Sequence, residues 1–294
     1  MTSLDGKAVV VTGAGRGLGE AFAIALAEAG AGVLVNDVDA SAALRTTAAI
    51  RALGHPAVAS THSVADPDQA QAIADLCLAT FGRLDGLVNN AGLNYEAPPW
   101  DDDPVRAREL IEVNVLGTLY TGLAALRVMR AQGGGSIVNI SSGASLGQRG
   151  LATYAASKGA VASLTYSWAL DLEPAGIRVN AVCPLAHTRM VRASERARRK
   201  CPPDRTPDRV APLVVFLIGE RSRGITGQMV RCTGPELHIV GQPYLKSPIL
   251  ARDHWDTDTI ERAFTEVFQA HLEPYGLEKR LPPLLRTWLT PATA

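Results

Sequence analysis

The sequence predicts a doubly wound α/β fold, a parallel sheet with helices on both faces, formed by a single domain with a C-terminal extension. Three observations predict it. From Lys7 onward, short β-branched runs alternate with alanine-rich stretches of helical length. The runs are continuously apolar, which suits strands buried on both faces rather than strands with one wet side. The first run also passes into the first helix through a cluster of glycines, Gly13, Gly15, Gly17 and Gly19.

Taken in order, "KAVVVTG" is a strand and "LGEAFAIALAEAG" its helix. "AGVLVND", "SAALRTTAAIRALG", "HPAVAS", "DQAQAIADLCLATFG" and "DGLVNNAG" continue the alternation. It resumes with the helical "VRARELIEVNVLGTLYTGLAALRVMRAQ", the strand "GSIVNISS", a helix containing "YAASK", and the strand "IRVNAVCP". After about Gly234 the alternation stops, and the last 60 residues are richer in proline and aromatic residues. One helix is expected there, "DTIERAFTEVFQAHL", with Ile260, Phe264, Val267, Phe268 and Leu272 on one face. Such a stripe is expected to pack on the main body or on a neighbouring subunit. Residues 1–235 are read as the sheet-bearing domain and residues 236–294 as the extension.

At 294 residues and 47% hydrophobic the chain can bury a substantial core. Lys+Arg and Asp+Glu are both 29, so no global field draws the protein to nucleic acid or to a membrane, and the expected partner is a small molecule. The four cysteines form no CxxC pair and the six histidines show no HExxH spacing, which implies reduced thiols and no metal. The N-terminus runs straight into a strand pattern without a charged leader, and no long apolar span follows; a cytoplasmic location is expected.

A pyrophosphate needs bare backbone N–H groups, the positive end of a helix and no Cβ in the way. The turn from Gly13 to Gly19, with Arg16, Gly17 and Leu18 inside it, meets those needs in a strand-turn-helix of Rossmann type. Its GxxxGxG spacing differs from the commonest dinucleotide fingerprint, although its context is the same. Asp37 closes the second strand, 18 residues past Gly19. A carboxylate there accepts hydrogen bonds from the adenosine ribose and repels a 2′-phosphate, which argues for NAD. Arg16 is the counterweight, because a guanidinium in the turn could pair with that phosphate.

Tyr154 and Lys158, at i and i+4, share a helix face with only Ala155, Ala156 and Ser157 between them. A phenol titrates near ~10, and a neighbouring ammonium favours its ionised form, so the pair is expected to make a tyrosine able to exchange protons. Upstream, a strand ends in Ser141 and Ser142, at the sheet edge where ligands bind. A serine hydroxyl there can both donate to a ketone and accept from an alcohol.

With "TGAGRGLG", "NNAG" at residues 89–92, Asn114 in "VNVLG", "NISS", "YAASK" and "IRVNAVCP" in this order, the chain from about Lys7 to Gly234 resembles the short-chain dehydrogenase/reductase family. The resemblance implies alcohol/ketone interconversion with a tetrad of Asn114, Ser142, Tyr154 and Lys158. Tyr154 would transfer the proton, Ser142 hold the oxygen, Lys158 tune the tyrosine and grip the nicotinamide ribose, and Asn114 position a water. It also places Val64, Asn90, Ala91, Gly92, Pro184 and Thr188 against the cofactor. The interval from Ser142 to Tyr154 is one residue shorter than is usual in the family, and Ser141 would restore it by counting; Ser142 is preferred because the strand end aligns with the family's second serine. Ser63 stands where members often have an aspartate for adenine. "PL" at Pro184 and Leu185 replaces the usual "PG", a version similar to that of (3R)-hydroxyacyl-CoA dehydrogenases of multifunctional enzymes and their actinobacterial relatives.

The positions expected to line the substrate are Leu93, Asn94 and Tyr95, Ala144 to Leu146, and Leu185 to His187. They are mostly apolar, which suits a hydroxyacyl thioester, a steroid-like ketone or another lipophilic substrate. Between Arg189 and Arg209, Arg189, Arg192, Arg196, Arg198, Arg199, Lys200, Arg205 and Arg209 form a basic stretch where the family has its lid. It could hold the phosphates of CoA or a carrier protein, or be a solvated helix. The resemblance further implies a homodimer or homotetramer. A catalytically silent NAD-binding regulator or scaffold is the alternative function, against which the complete tetrad speaks.

Overall fold

On the first strand Val9 and Val11 face one side and Ala8 and Val10 the other, and all four are buried, so this strand needs cover twice. The computed structural model describes residues 4–283 and 285, and in them helices supply that cover. β1 (Ala8–Thr12) leads to α1 (Gly17–Glu28), β2 (Gly32–Asn36) to α2 (Ala40–Ala52), and β3 (Ala57–Ser60) to α3 (Pro67–Phe81). β4 (Gly86–Asn89) is followed by α4 (Pro104–Ile111), which passes through one π-helical turn (Glu112–Leu116) into α5 (Gly117–Gln132). β5 (Gly135–Ile140), α6 (Ala152–Leu172) and β6 (Ile177–Pro184) come next. The short α7 (Arg189–Arg192) and α8 (Glu195–Lys200) precede α9 (Ala211–Ile218) and β7 (Met229–Cys232).

The strand order is β3-β2-β1-β4-β5-β6-β7-β8, parallel except for β8 (Leu237–Ile239), which runs antiparallel to β7. The predicted doubly wound sheet is therefore present, with one addition. The extension begins by completing the sheet, because Leu237 pairs with Cys232 and Ile239 with Val230. Three residues with Leu237 and Ile239 turned to solvent carry too little pattern to read as a strand.

One sheet face packs against Phe22, Leu26, Ile50 and Val214, the other against Ile73, Met129 and Trp168. A Cβ on Gly122 would lie 2.2 Å from the Trp168 ring, so α5 and α6 approach closely enough to require glycine there. Between them a chain of buried polar groups is fully partnered. Asn89 Nδ2 donates to Asn139 Oδ1 at 3.0 Å, Thr121 Oγ1 donates to Asn89 Oδ1 at 2.6 Å, and Asn139 Nδ2 donates to Thr165 Oγ1 at 3.0 Å. Such a network locks the spacing of the elements that present the site.

In the extension, α10 (Thr257–Glu266) starts with a capping box of Asp256 and Thr259, and α11 (Leu277–Arg280) follows. Of the two surfaces expected to cover the apolar stripe, the main body covers little of it. Ile260, Phe264 and Leu272 are 45%, 49% and 58% exposed, and Ala263 is the buried residue of α10. The helix ends at Glu266 and a 3-10 turn takes over at Phe268–His271, which breaks the stripe. What folds back is α11: Leu277 N–H donates to the Gly147 carbonyl at 2.8 Å. No helix among the described residues is long and apolar enough to cross a membrane.

Candidate active site

Strand order reverses between β1 and β4, and that reversal opens a crevice at their carboxyl ends. Thr12 Oγ1 accepts the N–H groups of Asn90 and Ala91, each at 3.0 Å. Asn90 Nδ2 donates back to the Thr12 and Gly13 carbonyls at 2.9 and 3.0 Å. This close approach excludes side chains: a Cβ on Gly13 would lie 2.8 Å from Ala91 Cα, and one on Gly19 would lie 2.2 Å from the Gly13 carbonyl oxygen. Gly13 and Gly17 also adopt φ of +61°, where a Cβ is strained. The bare turn at the start of α1 thus fits a dinucleotide pyrophosphate, with Leu18 and Thr188 on the cavity wall beside it.

At the end of β2, Asp37 accepts Gly15 N–H at 2.9 Å through Oδ2 and Asp39 N–H at 3.0 Å through Oδ1. Asp39 itself was not singled out by motif. It caps α2 by accepting Ala42 N–H, and it pairs with Arg16. Hydrogen bonds from Ser41 and Ala42, with Arg16, lower its pKa to about 2. The cation weighed against NAD is thereby balanced within the protein. The signal was present as a helix-capping aspartate ahead of "ASAAL", without any indication of its partner. Val64 is buried against Gly117, and Ser63 N–H is held by Gln69 Oε1 at 2.9 Å.

Tyr154 and Lys158 lie on α6 and both line the main cavity with Ser142. Lys158 Nζ donates to the Ile140 carbonyl at 2.8 Å and stands 5.8 Å from the Tyr154 ring centre. The expectation that the lysine lowers the tyrosine pKa is not met. Burial pushes the phenol up to about 12, with the Ser142 hydrogen bond opposing and the Cys183 sulfur adding to the rise. Burial likewise brings Lys158 down to about 8, with the Cys183 sulfur opposing. Loss of water around both groups outweighs their mutual influence. The two serines separate: Ser141 Oγ donates to the Lys158 carbonyl at 3.0 Å, whereas Ser142 Oγ accepts Ala144 N–H at 3.1 Å and reaches the phenol.

Asn114 occupies the π-helical turn and is fully buried. Its Nδ2 donates to the Leu93 carbonyl and to Ser157 Oγ, both at 3.0 Å, and its Oδ1 accepts Leu93 N–H at 2.7 Å. A Cβ on Gly92 would lie 3.2 Å from that Oδ1 and 3.6 Å from Lys158 Nζ, so the Gly92 backbone stands beside both groups.

The cavity has a volume of about 230 Å³ and an apolar majority in its lining. Of the expected substrate positions, Leu93, Asn94, Ala144, Leu185 and Ala186 line it. Tyr95, Leu146 and His187 do not. Tyr95 donates its hydroxyl to Asp102 at 2.8 Å beneath Arg106, Leu146 packs against the cluster around Ala162 and Val240, and His187 Nδ1 lies 3.0 Å from the Cys201 carbonyl. Lining residues not singled out from sequence include Arg231 on β7, Met190 from the lid, and Leu277, Glu278 and Leu281 from the extension, and Lys200 of the basic stretch lines the cavity with them. Among the described residues, four of the eight lid cations pair with carboxylates. Arg199 pairs with Glu195, Lys200 with Glu278, Arg205 with Glu236 and Arg209 with Asp204, while the Arg196 side chain lies outside the described residues.

Residues 7–199 match the family model described as short chain dehydrogenase. The chain is 39% identical over 239 residues to cis-4-hydroxycyclohexanecarboxylate dehydrogenase of Sinomonas cyclohexanicum, covering 78% of this chain and 95% of that protein. It is 34% identical over 228 residues to cyclohexanol dehydrogenase of Acinetobacter sp., covering 75% of this chain and 91% of the other. The crystal structure of a short chain dehydrogenase from Mycobacterium avium superposes with a TM-score of 0.82 at 32% identity, over 92% of this chain and 97% of that one. That likeness therefore reaches past the sheet into the extension.

Proposed function

Since the chain belongs to the short-chain dehydrogenase/reductase family, oxidoreductases acting on CH–OH groups, we propose that it interconverts a compact secondary alcohol and its ketone with NAD(H). The observation that carries the substrate half is the cavity. Tyr154, Ser142 and Lys158 line a space of about 230 Å³ that is shared with the nucleotide-side residues Leu18, Asn90, Gly92 and Thr188 and bordered by Leu277 and Leu281, so the part left to the substrate suits a single ring or a short branched chain better than a steroid nucleus. The cyclic alcohols in the names of the two relatives fit such a space. A CoA or carrier-protein thioester finds less support, because four of the eight lid cations already face carboxylates.

The choice of NAD rests on Asp37, whose carboxylate is held by two backbone N–H groups, and on Asp39, which compensates Arg16. The residues that would hold the dinucleotide are Gly13, Arg16, Gly17, Leu18, Gly19, Asp37, Val64, Asn90, Ala91, Gly92, Pro184 and Thr188. When bound, the nicotinamide supplies the hydride acceptor or donor.

The chain's own groups handle the proton. With its pKa near 12, Tyr154 is protonated at neutral pH and is ready to donate to a carbonyl oxygen. Ser142 orients that oxygen, since its hydroxyl can donate to a ketone or accept from an alcohol. Lys158, near 8, takes up or releases protons close to neutral pH, and Asn114 is given the placing of a water by the family resemblance. The exposed stripe of α10 and the helices α5 and α6 are offered for a homodimer or homotetramer. A ketone panel read by NADH fluorescence, for the full chain and Tyr154→Phe, tests the reading. Loss of turnover in the variant is expected, whereas equal rates would favour a nucleotide-binding regulator.

A further inference from the structure

Asn94 lines the cavity with an acceptor that the protein leaves idle: its Oδ1 is shut off from water and meets no donor among the described residues. Other polar side chains of the same wall are engaged. Asn90 bonds to the Thr12 and Gly13 carbonyls, Ser141 to the Lys158 carbonyl, Ser142 to Ala144 N–H and Thr188 to Val191 N–H. The position of Asn94 is fixed from both sides. Before it, Leu93 exchanges two hydrogen bonds with the Asn114 carboxamide, at 2.7 and 3.0 Å, and after it the Tyr95 hydroxyl donates to Asp102 at 2.8 Å. Further along, Ala97 N–H donates to the Gly150 carbonyl at 2.9 Å and Ala97 bridges to Leu151 in parallel, which lays this loop against the one after β5. Asn94 precedes Ala97 by three residues and Gln148 precedes Leu151 by three, so a second carboxamide lines the cavity from the matching place on the adjoining loop.

We propose that Asn94 reads a second hydroxyl group on the substrate, so that the compounds this enzyme takes are compact neutral diols and the corresponding hydroxyketones. The inference rests on the dehydrogenase reading above and deepens it. A buried acceptor without a partner is a cost that a bound donor removes. A hydroxyl matches the edge of a carboxamide, because its O–H donates to the carbonyl oxygen while its own oxygen accepts from the NH2 group beside it. An ether oxygen supplies no donor and a methyl group supplies neither function, so each would leave Oδ1 unpaired. The fixed flanks of Asn94 add to the effect, since an acceptor already held in place loses little freedom when its donor arrives. Hydride and proton leave the carbinol beside Tyr154 and the second hydroxyl is unchanged, so each NAD+ reduced accounts for one carbinol oxidised to a ketone.

The test is a binding ratio that needs no turnover. Isothermal titration of the full chain with NADH present compares the positional isomers of cyclohexanediol with their monomethyl ethers; cofactor and ligand are both in the reduced form, so no hydride moves. For the best-bound diol, the wild type is expected to bind at least about tenfold more tightly than the matching ether. The larger ether also contributes through size, and a side chain of similar volume without the amide separates the two effects. In Asn94→Leu the ratio should fall at least about fivefold, whereas Asn94→Asp, which keeps an acceptor, should retain most of it. Should Asn94→Leu not fold, Asn94→Ala carries the same expectation. A wild-type ratio near one, no binding of any diol, a ratio unchanged in Asn94→Leu, or one lost as fully in Asn94→Asp overturns the hydroxyl reading. Reduction of plain and hydroxylated cyclohexanones is scored separately. Turnover without diol preference removes the second hydroxyl alone, and diol preference without turnover of any ketone removes the dehydrogenase reading instead.

Discussion

Replacing Lys158 with methionine is expected to change how the stability of the nucleotide-free protein depends on pH. Burial lowers the lysine from 10.5 to about 8 in the folded chain. Between those values the unfolded chain holds a proton that the folded chain has released, so raising the pH favours the fold. The full effect is about 3 kcal/mol, and about 2 kcal/mol of it falls between about pH 7 and about pH 9.5. The bond from Nζ to the Ile140 carbonyl exists for the ammonium and for the neutral amine alike, so its loss adds an offset and no slope. Tyr154 titrates above this window. The buried thiols of Cys77, Cys183 and Cys201, raised to about 12, 11 and 11, give stability that is lost as the pH climbs, but they are common to both proteins. Urea unfolding under reducing conditions at a series of pH values gives the stability of each protein. The wild-type value minus that of Lys158→Met should rise by about 2 kcal/mol across the window. A difference that stays flat or falls would mean that the amine is hydrated in the folded chain, and the reasoning about its burial would fail.

Other outcomes follow from the same geometry. Asp37→Ala should raise NADPH use relative to NADH by at least tenfold in kcat/KM, because a carboxylate and a phosphate charge ~4 Å apart repel by about 4 kcal/mol at an effective dielectric of 20. Asp39→Ala, which frees Arg16, should move the ratio the same way; an unchanged ratio in both would place selectivity elsewhere. Ketone reduction should hold constant through neutral pH while alcohol oxidation climbs into the alkaline range, since a phenol near 12 donates a proton more readily than it accepts one. Gly19→Ala should cost about 2 kcal/mol or more in thermal unfolding, as its methyl would strike the Gly13 carbonyl. Gly159→Ala, with open space around it on α6, should add about 0.5 to 1 kcal/mol of stability, and a loss would reveal that an assembly buries this face.

How much was legible follows the range over which each signal acts. The alternation of β1 to β6 with their helices is local, and so is the glycine turn, where the same few residues carry both the conformation and the clearance. Tyr154 and Lys158 are one helical turn apart, so their shared face was readable, but their proton affinities were not, since burial comes from distant chain. The same limit hid the partners of other groups. Asp102 claims the Tyr95 hydroxyl, Asp39 claims Arg16, and Arg231 reaches the site from a strand far downstream of Ser142. The stripe of α10 marks a different limit. Its periodicity is real, but the helix stops at Glu266, and periodicity alone does not say which surface will meet it.

The bond from Leu277 N–H to the Gly147 carbonyl has a consequence for how selectivity can change. It ties a late stretch of chain to the loop beyond Ser142, so one part of the cavity wall, Leu277 and Leu281, is written in a segment covalently remote from the nucleotide cradle and from Tyr154. Exchanging that closing segment for another of the same length offers a route to new alcohols with the redox half untouched.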